Sequence, residues 1–114
     1  MSDCIFCRLA AKEVPADILY EDEECMAFRD IFPKAKVHYL IIPKVHLANL
    51  DALEPQHSAL LGRLMLLVPK IAKSLGLSDG YRTLINTGPG SGQEVYHLHI
   101  HLLSNKGGGK LPGF

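Results

Sequence analysis

Hydrophobic positions recur along this chain at two different periods. Over residues 55–75, Leu60, Leu64, Leu67 or Val68, Ile71 and Leu75 follow three- and four-residue steps, the stripe of an amphipathic helix. Pro55 suits its first turn and Gly76 its C-terminal cap, while Pro69, inside the pattern, is expected to kink or divide it. A short helix reads over residues 4–12, CIFCRLAAK, with Ser2 or Asp3 as N-cap and Pro15 closing the segment. Between and after these come β-branched and aromatic runs: Ile18–Glu21, Cys25–Arg29, Val37–Pro43, Gly80–Thr87 and Val95–Leu103. The acids from Glu21 to Glu24 read as a solvated turn, and Gly88 to Gly92 as a loop. Consecutive strands with short turns imply antiparallel pairing, and one long helix covers one face, which makes an α+β domain. The domain is expected over residues 1–104, followed by an irregular Gly/Pro-rich tail over 105–114.

Composition narrows the possibilities. A chain of 114 residues, 47% hydrophobic and 21% charged, makes one domain with a real core. Twelve basic residues balance twelve acidic ones, which argues against a surface that grips a nucleic-acid polymer. No apolar run approaches the ~18 residues of a membrane span. Met1-Ser2-Asp3-Cys4 does not begin a secretory signal, so a reducing cytoplasm is the expected location. There, the C-x-x-C pair Cys4 and Cys7 suits a metal or redox role better than a structural disulfide, and Cys25 reads as a core thiol.

The surplus residue is histidine: there are six, and three fall within Val95-Tyr96-His97-Leu98-His99-Ile100-His101-Leu102-Leu103. In a strand, alternation would point His97, His99 and His101 to one face and Leu98, Ile100 and Leu102 into the core. Neighbouring histidines on that face would stand roughly 6.5–7 Å apart at Cα, close enough for one anion to meet two imidazoles. Two chemistries fit. H-x-H can bind a catalytic metal. Alternatively, one neutral imidazole can act as a nucleophile beside others that donate hydrogen bonds and carry protons.

His97-Leu98-His99-Ile100-His101-Leu102-Leu103 resembles the histidine-triad (HIT) superfamily signature H-φ-H-φ-H-φ-φ, with φ hydrophobic, at every position. CIFC, EVPADILYEDEECMAFRDI, VHYLIIPKVHL, GYRTLINTG and GQEVYHLHIHLL extend the resemblance to Leu103. In length the chain looks most like the Hint branch, the purine nucleoside phosphoramidases. The resemblance implies a five-stranded antiparallel sheet with one long and one short helix. It implies a homodimer joined through long helices and edge strands. It also implies a purine nucleotide ligand of the AMP or GMP kind. His99 would be the nucleophile forming a nucleotidyl-imidazole, His101 a donor to the α-phosphate, and His97 and His38 the network behind them. Asp30 would hold the ribose hydroxyls. Ile5, Phe6, Ile31 and Leu40 would line the base slot, and Asn86 with Gly92, Gln93 and Glu94 would meet the phosphate. No metal is required for that chemistry.

Two departures stand out. Glu94 occupies a place where some members carry serine, and a carboxylate there would repel phosphate, so Glu94 is expected to turn away or to work through its backbone N–H. Ser104-Asn105 replaces a frequent Gly-Gly. The resemblance also implies a structural zinc, which many bacterial members hold on two cysteines, a histidine after the third strand and the first triad histidine. Cys4, Cys7, His46 and His97 occupy those places here, and such a Cys₂His₂ set suits closed tetrahedral coordination. His57 is left as a surface residue. The competing readings are a dinucleoside polyphosphate hydrolase of the same superfamily and a nucleotide-binding scaffold with incidental catalysis.

Overall fold

The computed structural model describes residues 3–113. Five strands form one antiparallel sheet: β1 (Ile18–Glu21), β2 (Cys25–Arg29), β3 (Val37–Pro43), β4 (Arg82–Leu84) and β5 (Ile100–Ser104). Their spatial order is β1-β2-β3-β5-β4, so β3 and β5 lie side by side near the middle, and β1 and β4 are the edges. The short helix α1 spans Ile5–Ala10 and the long helix α2 spans Ser58–Ser74. Residues 105–113 carry neither helix nor strand.

The two helices lie on opposite faces, and strand alternation sorts the side chains between them. Cys25, Ala27, Ile41, Leu98, Ile100 and Leu102 pack under α2 with Leu64, Leu67, Val68 and Ile71. Met26, Phe28, Leu40 and Ile42 pack with Phe6 and Leu9 of α1. A sheet covered on both faces explains why β2 reads as an unbroken apolar run, with residues 25–28 all buried.

Several boundaries differ from the expectations, each for a local reason. The N-cap of α1 is Cys4, whose Sγ accepts the Cys7 N–H at 3.4 Å. Asp3 does not cap it, and Ser2 lies outside the described residues. The long helix begins with a 3₁₀ turn over Pro55–His57, where His57 Nδ1 accepts the Glu54 N–H at 2.9 Å. Pro69 neither divides nor ends α2. It sits on the exposed side, one turn after Met65, which is itself 47% exposed. Gly76 takes the left-handed φ of +70° expected after the helix. The acidic turn is pinned as well as solvated: Asp22 Oδ1 accepts from Glu24 and Cys25 N–H, each at 2.8 Å.

The last two strands are shorter than the patterns suggest. β4 holds only Arg82–Leu84, and β5 starts at Ile100 instead of Val95. β3 pairs with β5 from Val37↔Ser104 to Ile41↔Ile100 and no further. Pro43, two residues on, has no N–H to offer a ladder. Residues 95–99 therefore leave the sheet, and Leu98 N–H donates to Leu47 O instead at 2.6 Å.

Candidate active site

The end of the ladder shapes the histidine cluster. His97, Leu98 and His99 are all buried, at 0%, 2% and 7% exposure, because both faces are covered: Leu98 packs under α2, while His97 and His99 both meet Phe6 of α1 on the other side, as the alternation predicts. His99 and His101 still face one cavity, their ring centroids 4.9 Å apart. His97 is not in the cavity wall. Its ring turns toward the start of α1, and only its carbonyl reaches His99, accepting from Nδ1–H at 2.6 Å. The expected side-chain network through His97 is thus a backbone contact. Neutral His99 with its proton on Nδ1 carries a bare lone pair on Nε2.

A second chain of contacts sets the protons on the other imidazoles. Lys34 N–H donates to His38 Nδ1 at 3.1 Å, so the His38 proton sits on Nε2. Nε2 of His38 then donates to Nδ1 of His101 at 2.9 Å. The remaining proton of His101 is left on Nε2, as a donor. Asp30 Oδ2 lies 3.4 Å from the same His38 nitrogen, and Asp30 Oδ1 caps the turn by accepting Phe32 N–H at 2.8 Å. Burial lowers the pKa of His38, His97 and His99, and pushes His101 down to about 4, with His99 and His38 beside it adding to the effect. All four rings are neutral at pH 7.

The cavity has a volume of about 620 Å³, within the range that takes a small-molecule ligand. Its apolar part is built by Ile5, Phe6, Phe28, Ile31 and Leu40, and its polar part by Asp30, Asn86, Glu94, His99 and His101. Gly92 also lines it. The exposed lip residues Phe32 and Lys34 join them. Sequence reading passed over this lip, although a turn following Asp30 with an aromatic and a cation was its signal. Phe6 stands edge-on to His99, with centroids 5.2 Å apart and planes at 88°.

One phosphate-loop expectation changes. Gln93 is not in the cavity wall. Its buried side chain accepts from Gly88 N–H at 2.8 Å and Asn49 Nδ2 at 3.1 Å. It also donates to Ala48 O at 2.8 Å and Val95 O at 3.0 Å. An amide with both ends engaged holds the loop and has little left for a ligand. Glu94 lies in the cavity wall. A second hollow of about 460 Å³, between Asp79–Arg82 and Ser104–Leu111, holds no histidine.

The four proposed zinc ligands converge. Sγ of Cys4 lies 3.3 Å from Nδ1 of His97, and Sγ of Cys7 lies 3.3 Å from Nδ1 of His46 and 3.5 Å from Nδ1 of His97. All four donor atoms fall within 4.8 Å of one another. Tetrahedral zinc, with Zn–S near 2.3 Å and Zn–N near 2.0–2.1 Å, spans S···N edges of about 3.5 Å. The donor set and its spacing therefore fit the ion. His97 Nε2 donates to Pro43 O at 2.7 Å, which leaves Nδ1 as the ligating nitrogen. Asp30, His38 and His101 also come together, but the hydrogen bond between the two rings accounts for that approach. Cys25 is a core thiol, 1% exposed, with burial pushing its pKa up to about 11.

Known proteins share the sequence and the fold. Protein HitA of Neisseria gonorrhoeae is 58% identical over 103 residues, covering 90% of this chain and 96% of its own. A HIT family hydrolase from Legionella pneumophila superposes with a TM-score of 0.87 at 45% identity, covering 90% of this chain and 92% of that one. A histidine triad nucleotide-binding protein from Candida albicans does so with a TM-score of 0.79 at 36% identity, covering 88% of this chain and 73% of that one. The family model described as HIT domain matches residues 11–108, and the chain belongs to the HIT domain family.

Proposed function

We propose that this protein is a nucleotide hydrolase that cleaves purine nucleoside 5′-phosphoramidates, or acyl-nucleotides, at the α-phosphorus and releases the nucleoside monophosphate. One observation carries the reading: the bare Nε2 of His99 shares a cavity with the Nε2–H donor of His101. A neutral imidazole attacks phosphorus, and a neighbouring N–H steadies the charge on the non-bridging oxygens. In the first step the Nε2–P bond forms and the P–N bond to the leaving amine breaks, the amine departing with a proton drawn from solvent. Water then cleaves the Nε2–P bond. Its hydroxyl goes to phosphorus, and its proton replaces the one the amine took. The apolar half of the cavity suits a base, and Asp30 suits a vicinal diol. The Legionella neighbour is described as a hydrolase and the Candida one as nucleotide-binding, which supports the same reading.

The Cys4, Cys7, His46 and His97 cluster would hold a structural zinc that ties α1 to the segment before β5. The protein would work as a homodimer. Leu66 and Met65 stand 73% and 47% exposed on α2, and β4 leaves an unpaired sheet edge. No helix among the described residues is long and apolar enough to cross a membrane.

The test is His99→Asn. Turnover of an adenosine phosphoramidate should vanish while AMP still binds; undiminished turnover would refute the nucleophile. Comparing rates on the phosphoramidate and on a diadenosine polyphosphate separates this activity from the related hydrolase. AMP binding with negligible turnover of either would favour a scaffold.

A further inference from the structure

We infer that Lys34 is a further phosphate-binding residue of the cavity, its ammonium supplying the positive charge against which a nucleoside 5′-phosphate settles in front of the histidines. The inference rests on the reading of this cavity as a nucleotide site and adds what draws the anion into it.

Three observations place the charge there. Lys34 stands in the cavity wall with His38, His99 and His101. Its backbone N–H donates to His38 Nδ1 at 3.1 Å, and His38 bonds His101 at 2.9 Å, so its backbone is tied to the histidine end of the cavity. From that anchor a flexible four-carbon stem carries the ammonium. Among the described residues, Nζ of Lys34 has neither a hydrogen bond nor an ion pair. Asp30, the nearest acid in the turn, is already engaged by the Phe32 N–H and the His38 ring. Burial is the main reason that His38 and His101 are neutral, and the Lys34 charge adds to it at both rings, as a cation on their side of the cavity must.

The need for such a charge follows from the neutrality of the rings. They offer N–H dipoles to a phosphate but no counter-charge. Asp30 and Glu94 put two carboxylates into the same wall. A phosphate adds another negative charge in a partly desolvated space, which is costly without a cation nearby. Arg29 also lines the cavity, but its side chain belongs to the other face of the sheet. It pairs across the strands with Tyr39, which packs on the α2 side, and alternates with Phe28, which packs on the α1 side where the cavity opens. Lys34 is thus the cation that the cavity presents to an anion. A compact ammonium on a mobile stem can follow the phosphate oxygens as charge builds on them.

The experiment compares the wild type with Lys34→Met, which keeps the stem and the backbone N–H to His38 but loses the charge, and with Lys34→Arg. Work at about pH 8 keeps every ring neutral in each variant, so no effect comes through their protonation. Calorimetric titrations use AMP and, as the ligand without phosphate, adenosine. Lys34→Met should bind AMP about tenfold more weakly or worse, the loss of one charge-assisted contact, with adenosine affinity held within about twofold. Lys34→Arg should recover most of the AMP affinity. Added salt should weaken AMP binding to the wild type more than to Lys34→Met. In parallel, kcat/KM on an adenosine phosphoramidate should fall by at least the factor lost in AMP affinity. Unchanged AMP affinity in Lys34→Met would overturn the inference, and so would an equal loss for AMP and adenosine, which marks a merely structural effect. Wild-type protein that binds adenosine as tightly as AMP would overturn the nucleotide reading and the inference together. A selective loss of AMP affinity in a protein whose turnover survives His99→Asn would instead remove the nucleophile and leave Lys34 on the phosphate.

Discussion

Nε2 of His38 donates to Nδ1 of His101 at 2.9 Å, and this contact determines which nitrogen of His101 is a donor. His38 can play that part because its other nitrogen is taken by the Lys34 backbone N–H. A turn at residues 30–34, built around Asp30, thereby fixes a proton on a strand that pairs with the next one along.

His101→Ala should lower kcat on a phosphoramidate by about 10²–10³-fold, the usual cost of one donor to a developing oxyanion. His38→Phe, which keeps the ring but frees His101 to change tautomer, should cost less, about tenfold. Steady-state kinetics on both variants check this, and equal losses would mean that His38 acts on substrate directly.

Folding stability should fall as pH drops from about 6.5 toward 4. Both His38 and His101 have folded pKa values below the unfolded value of 6.5, by burial, so the unfolded chain binds more protons in that window. The stabilisation is complete above 6.5 and is lost on acidification, with a slope of about 1.4 kcal/mol per pH unit for each ring fully taking up its proton. Urea titrations at several pH values measure it, and a stability that is flat across the window would contradict it.

Gln93→Ala should destabilise the fold by about 1–3 kcal/mol, since Gly88 N–H and Asn49 Nδ2 lose their acceptor in a buried place. The same change loosens the loop at one end of the cavity, so AMP affinity should weaken too. Calorimetric melting and ligand titration report the two effects separately. Weaker AMP binding at wild-type stability would instead place the side chain on the ligand.

Leu66→Glu should break the proposed homodimer into monomers. The side chain is 73% exposed, so its replacement costs the single chain little, whereas a charge buried in a joint between two α2 helices is strongly unfavourable. Sedimentation velocity distinguishes the two states, and a persistent dimer would place the joint elsewhere.

The core elements were readable because their signals are local. Leu64 and Ile71 announce α2 by spacing alone, and Val37–Pro43 announces β3 by side-chain type. The triad motif also led directly to His99 and His101. What could not be read was set by contacts distant in sequence. The departure of residues 95–99 from the sheet depends on Pro43 and Leu47. Gln93 looks like a phosphate-loop residue until its four buried partners are seen. Pro69 leaves α2 undivided, and its exposed position on that helix is set by how the helix packs on the sheet.

Pro43 gives the fold a stop codon for pairing. Were a residue with an N–H to stand there, the ladder between β3 and its neighbour could run on by two rungs and draw His99 into strand register. Leu98 N–H, which here bonds Leu47 O, would then be drawn to residue 43 instead. The path of the segment that carries His99 into the cavity thus depends on a hydrogen bond that the sheet is prevented from making, at a residue outside the cavity wall.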